Sequence, residues 1–210
     1  MRRSVLLMII AGIMLMSACS DPAADKTKAV TGEATKVASP AAATQGQKYL
    51  ITPQNSKIEF TASKVTGSHN GSFGDFSGQI DHVNTPDQGR VTITIKADSI
   101  TTDTPDLTKH LKTADFFDVA KFPEATFVST SIKAGGENGA SHTVTGNLTM
   151  HGVTKAVTFP ATISVTPEVA TVDSTFTINR KDFGINYAGQ ADNLIRDNVV
   201  LKLTIRASKG

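Results

Sequence analysis

The stretch Thr143–Val165, TVTGNLTMHGVTKAVTFPATISV, reads as two strands joined at His151-Gly152. A two-residue loop needs positive φ, which glycine supplies without steric penalty and histidine adopts only occasionally. That turn sets Met150 opposite Val153, Leu148 opposite Lys155, Gly146 opposite Val157 and Val144 opposite Phe159. One face of the hairpin is then apolar apart from Lys155, while the other carries Thr145, Asn147, Thr149, Thr154, Ala156 and Thr158. Such alternation marks a sheet with one side buried and one side wet. A four-residue loop would keep this register, whereas a three-residue loop would shift it.

Outward from the hairpin the alternation recurs. Lys48–Thr52 is a short strand ended by Pro53, and Ser56–Val65 sets Ile58, Phe60 and Ala62 on one face. Ser68–Gly74 reads as a glycine-rich turn, followed by strands at Phe73–Val83 and at Arg90–Ala97, the latter with Val91, Ile93 and Ile95 inward. Glu124–Ile132 and Val169–Asn179 continue the pattern, and Asn198–Ala207 places Val199, Leu201, Leu203 and Ile205 together. Arg180–Ile195 is a long connection. The pattern breaks once, at Thr104-Pro105, where an N-cap threonine and a first-turn proline predict a helix ending near Ala114. Asp115–Pro123, DFFDVAKFP, reads as a short helical turn capped by Asp115 and Asp118, laying Phe116, Phe117 and Phe122 over a mouth. About eight or nine antiparallel strands with one helical insertion predict an all-β, closed up-and-down barrel, since closure removes exposed edges.

Composition bounds the function. In 210 residues the formal net charge is +2 and hydrophobic residues make up 39%, so one sizeable domain is available and nucleic acid is not implied as a partner. Residues 1–18 read as a signal peptide: Arg2 and Arg3 precede an apolar run from Val5 to Met16, too short for a membrane span. Met16-Ser17-Ala18-Cys19 resembles a bacterial lipobox, with Met where Leu is usual. On that resemblance Cys19, the only cysteine, becomes the mature N-terminus. It carries a diacylglycerol on sulfur and a further acyl chain such as palmitate on the amine, enough for stable anchoring. The alternative is an ordinary secretory signal beside a stray cysteine. Ser20 in place of Asp favours the outer membrane, facing the periplasm. Residues 19–47 hold few large apolar side chains and read as a disordered tether spanning roughly 30 Å. Residues 48–208 form the barrel domain.

Four blocks then stand in order: His110–Pro123 (HLKTADFFDVAKFP), Ala125-Thr126-Phe127, Leu148–Lys155 (LTMHGVTK) and Arg180–Ile185 (RKDFGI). Over Tyr49–Ser208 they resemble the YceI-like family of bacterial periplasmic proteins. Lys181 stands where Thr or Ser is common in that family. The resemblance implies a lipocalin-like antiparallel barrel whose apolar interior holds a polyisoprenoid or another long-chain amphiphile, with no established reaction.

Candidate lining residues for such a ligand are Phe60, Val91, Ile93, Ile95, Phe116, Phe117, Leu148, Val157, Phe159, Phe176 and Leu203. Each could equally fill a solid core. Candidate head-group contacts are Lys155, His151 and Arg180, with a surface ion pair as the alternative for Lys155. His69, His82, His110, His142 and His151 show no metal-ligand spacing, and no nucleophile elbow is present, so neither metal, cofactor nor catalytic residue is expected. The expected role is a membrane-tethered carrier of a long-chain lipid. An accessory enzyme acting on a lipid-linked substrate through Lys155, His151 and Arg180, or an interaction protein with a filled barrel, are the alternatives. A homodimer is compatible with any of these.

Overall fold

The computed structural model describes residues 21–36, 47–82 and 85–210; the signal peptide, Cys19, Val83 and the rest of the expected tether lie outside the described residues. In chain order the strands are β1 (Val30–Glu33), β2 (Gln47–Ile51), β3 (Lys57–Lys64), β4 (Gly67–Phe73), β5 (Phe76–His82), β6 (Arg90–Lys96) and β7 (Ile100–Thr102). Helix α1 (Pro105–Leu111) precedes β8 (Glu124–Ala134), β9 (His142–Met150), β10 (Val153–Val165) and β11 (Val169–Asn179). Two short strands, β12 (Gly189–Gln190) and β13 (Asn193–Leu194), lead to β14 (Asn198–Lys209).

The central hairpin forms in the expected register, Met150 opposite Val153 and Val144 opposite Phe159. Its turn holds His151 at φ 50° and Gly152 at φ 75°, the paired positive angles that match the twist of the flanking strands. From there the antiparallel ladder runs β10-β9-β8-β6-β5-β2-β14, and β11 pairs with both β14 and β10. The eight strands close into a barrel. β3, β4 and β7 extend from β14 beside it.

Closure between β10 and β11 is partial, and it ends beside Pro160. The two strands pair from Thr162 opposite Asp173 to Val165 opposite Ala170 and then part. The Pro160 carbonyl accepts the Ser174 hydroxyl at 2.5 Å, so this residue turns its backbone toward β11. Within a strand the N and O of one residue point the same way, so the N–H that proline lacks would have been the next ladder donor.

The freed edges are taken by the N-terminal segment, which corrects the expectation of a disordered tether for residues 21–36. β1 pairs with β10 from Val30 opposite Thr158 to Glu33 opposite Lys155. On the other side, Thr177 N–H donates to the Thr27 carbonyl and its carbonyl accepts from Ala29, each at 2.8 Å. Ala29 is buried beside Val157, Phe159 and Phe176. The segment lacks a core of its own and needs none, because two open sheet edges supply partners for its backbone.

Three local expectations change. Residues 68–73 belong to β4 rather than to a turn: a Cβ at Gly71 would sit 2.2 Å from Phe60 Cζ, so glycine is there to let a ring lie across the strand. The helix stops at Leu111, with Lys112 as its C-cap. Beyond it, Asp115–Pro123 is a run of tight turns, with Asp118 at φ 45°. Asp115 pairs with His110 Nε2 at 2.8 Å instead of capping a helical turn.

Candidate functional site

The barrel is hollow. A cavity of about 190 Å³ runs from Ile51, Ile58 and Ile205 at one end to Phe116, Ile185 and Ile195 at the other. A single water needs only about 10–15 Å³ on the same kind of measure. Arg180 is its one charged lining residue, and every other lining side chain is apolar. Every apolar lining candidate read from the sequence, from Phe60 to Leu203, faces this space.

The two ends differ. Tyr49, Ile51, Ile80, Ile205 and Ala207 pack into a closed floor, and the Tyr49 hydroxyl donates to the Thr166 carbonyl at 2.6 Å. The other end is roofed by rings. His110, Phe116 and Tyr187 meet edge-on or tilted with centroids 5.0–5.2 Å apart, and Phe117 meets Phe73 at 5.9 Å. These contacts come from segments distant in sequence, so they order the connections over the bore. Phe122 is not part of this roof; its ring packs against His151 at 4.7 Å on the outside of the hairpin turn.

Arg180 is 4% exposed. Its Nε donates to the Arg196 carbonyl, Nη1 to Ile185, and Nη2 to the Ile195 carbonyl and the Asp197 carboxylate. The guanidinium thereby gathers the 184–197 connection over the mouth. These acceptors take four of its five N–H groups, and the guanidinium presents no polar surface to the cavity. Burial pushes its pKa down and Asp197 opposes that shift, yet a guanidinium stays charged throughout the physiological range. The bore therefore has a greasy length, with a buried cation set behind the lining at one end.

The other two head-group candidates stand off the bore. Lys155 extends along the edge of β10 to Glu33 of β1, Nζ to Oε1 3.0 Å. His151 Nδ1 lies 3.2 Å from the Phe183 carbonyl, a contact that requires it to donate, and its ring covers Gly184 and Phe122. Lys181 pairs with Asp197 at 2.9 Å. Among the described residues no group of His, Cys, Asp or Glu is placed to hold a metal ion.

Sequence reasoning did not single out Phe127, Met150, Ile163, Ile185 or Ile195, which also line the cavity. Phe127 and Met150 were reachable by alternation, since Phe127 pairs with Leu148 and Met150 shares its face. Ile195 lies in a connection with no periodicity to betray it.

Residues 49–207 match the model of the YceI-like domain. The UPF0312 protein of Pseudomonas putida GB-1 is 42% identical over 126 residues, 57% of this chain, and the match spans 65% of that relative's own length. The UPF0312 protein of Pseudomonas fluorescens SBW25 is 34% identical over 157 residues, covering 71% of this chain and 81% of the relative. Among solved structures, BcnA of Burkholderia cenocepacia superimposes with a TM-score of 0.63 at 25% identity, covering 75% of this chain and 99% of that one. A polyisoprenoid binding domain from Saccharophagus degradans shares the fold, with a TM-score of 0.62 at 16% identity over 79% of this chain and all of that one.

Proposed function

The chain belongs to the YceI-like family, and we propose that this member is a carrier whose bore holds a long-chain isoprenoid or a similar amphiphile, with the polar end at Arg180. The observation that carries this reading is the hollow, wholly apolar length of the barrel ending at one buried cation. At roughly 0.8 kcal/mol per methylene, a chain of about fifteen carbons contributes on the order of 10 kcal/mol before the penalty for ordering it. The polyisoprenoid binding domain of similar fold supports the same ligand class. The carrier is favoured over an accessory enzyme because Lys155 and His151 are engaged with Glu33 and the Phe183 carbonyl, away from the cavity.

The lipobox supports a carrier acylated at Cys19 and held at the outer membrane on its periplasmic side. Among the described residues no helix is long and apolar enough to cross a membrane. Organic extraction of the purified protein followed by mass spectrometry tests the ligand. A co-purifying prenyl or acyl lipid is expected. No lipid in repeated extractions, together with no uptake of added prenyl alcohol, would overturn the carrier reading.

A further inference from the structure

The N-terminal segment does more than fill a seam: it fixes where a lipid anchor leaves the barrel. Asp21 Oδ2 lies 3.3 Å from Arg196 Nη1, and Ala23 behind it is buried. Cys19 stands two residues before Asp21, a covalent reach of at most about 7 Å. An acyl anchor on that cysteine therefore emerges beside the Arg196 connection, with no long tether to let the barrel tumble.

That same place is apolar on its surface. Leu194, two residues before Arg196, is 48% exposed, and so is Val65, whose N–H donates to the Leu194 carbonyl at 3.1 Å. They stand on two hairpin tips clasped by Thr66 Oγ1 donating to Asn193 Oδ1 at 2.7 Å. Within two residues of them stand Lys64, Asp192 and Arg196, the last paired with Asp21, so the local charges balance and the patch attracts by burial rather than by net charge. The patch lies next to the bore in the chain, on the opposite face of the same strands. Ile195, next to Leu194, and Ala62, three residues before Val65, both line the cavity. Of the other large apolar side chains exposed among the described residues, Val30 lies on β1, and Leu50 stands opposite Ser208, eight residues along β14 from the Val200–Thr61 pair. That is about 26 Å toward the closed floor.

We propose that the barrel end bearing Val65 and Leu194 docks on the bilayer, so that the bore opens into the membrane surface rather than into the periplasm. This rests on the reading of Cys19 as acylated, and adds an orientation that acylation alone does not impose. A ligand then passes between bilayer and bore at the end of the barrel nearest the membrane.

The test uses the full-length, processed protein in vesicles of phosphatidylethanolamine and phosphatidylglycerol. An environment-sensitive dye is attached at Val65→Cys, Leu194→Cys or Leu50→Cys. With the Cys19 sulfur held in a thioether, the introduced cysteine is the sole free thiol. All three sites are exposed, so folding should survive, and circular dichroism checks it. The dye at 65 and 194 is expected to shift to the blue and to be quenched by acyl-chain quenchers, while the dye at 50 stays water-like. Equal quenching at 50, or quenching at none of the three, with mass spectrometry showing acylated Cys19, overturns the orientation and leaves the anchor standing. An unmodified Cys19 overturns the anchor and the orientation with it.

Discussion

The two edges of β10 make opposite use of one strand. Toward β9 it is zipped without a break from Val153 to Ala161, in a register dictated by a two-residue turn and by alternation on both sides. Toward β11 it holds four consecutive pairs, meets a residue with no N–H, and hands the remainder of its edge to a segment more than a hundred residues away in the chain. The difference teaches that side-chain pattern fixes a strand's faces, whereas what completes its edges depends on backbone donors that every residue type shares. The zipped edge is part of the barrel's cooperative unit. The split edge is the seat of a separate piece of chain.

The largest expected effect tests the zipped edge. Gly152→Val places a β-branched residue at φ 75° and drives a Cβ to within 2.5 Å of the Phe122 ring. Strain and overpacking together should remove about 3 kcal/mol of unfolding free energy, read by chemical denaturation. Next comes Ala29→Glu, which puts a carboxylate among Phe159 and Phe176 at the seam. A buried unpaired charge would be severe in a zipped strand, but here the segment can detach, so the loss is capped at its own docking energy, about 2 kcal/mol. Hydrogen exchange should quicken in residues 27–33 and leave the β9–β10 amides protected. Equal deprotection of both edges would break the comparison.

The same contrast explains how much of the molecule its sequence discloses. The barrel, the hairpin register and the inward faces were legible because alternation and a His-Gly turn are side-chain signals. β1 was not, since Val30-Thr31-Gly32-Glu33 binds through main-chain groups and its composition reads like a linker's. The lining positions were legible as a face. The hollowness was not, because a filled and an empty barrel share one alternation and differ only in how strand stagger compares with summed side-chain volume. Arg180 was visible as a residue of a recurring block, but its posture was hidden: its acceptors include carbonyls of residues 185, 195 and 196, which any side chains there would have offered.

A smaller effect sharpens the picture of what clips the segment down. The Thr31 hydroxyl donates to Asp182 Oδ2 at 2.7 Å, tying β1 to the turn that follows β11. Thr31→Val keeps shape and strand propensity while deleting that bond, and should weaken the docking of the segment by about 1 kcal/mol. The loss should again be local, seen as faster exchange in β1 rather than as a change in the main transition.

Pro160→Val should have the smallest net effect and the most specific one. It restores an N–H facing the seam, and that group must find an acceptor or remain buried without one. The acceptor in line is on β11 near Thr175, the next step of the ladder beyond Asp173, so the β10–β11 pairing is expected to lengthen toward Phe176 at the expense of β1. Gain of one ladder bond offsets weaker docking of the segment, leaving global stability within about 0.5 kcal/mol of the parent. The two edges nonetheless become more alike: exchange should slow at residues 174–176 and quicken at 27–33. If both stretches keep the parent's exchange rates, the missing donor is not what splits the seam, and the N-terminal segment holds β10 and β11 apart by its own affinity for their edges.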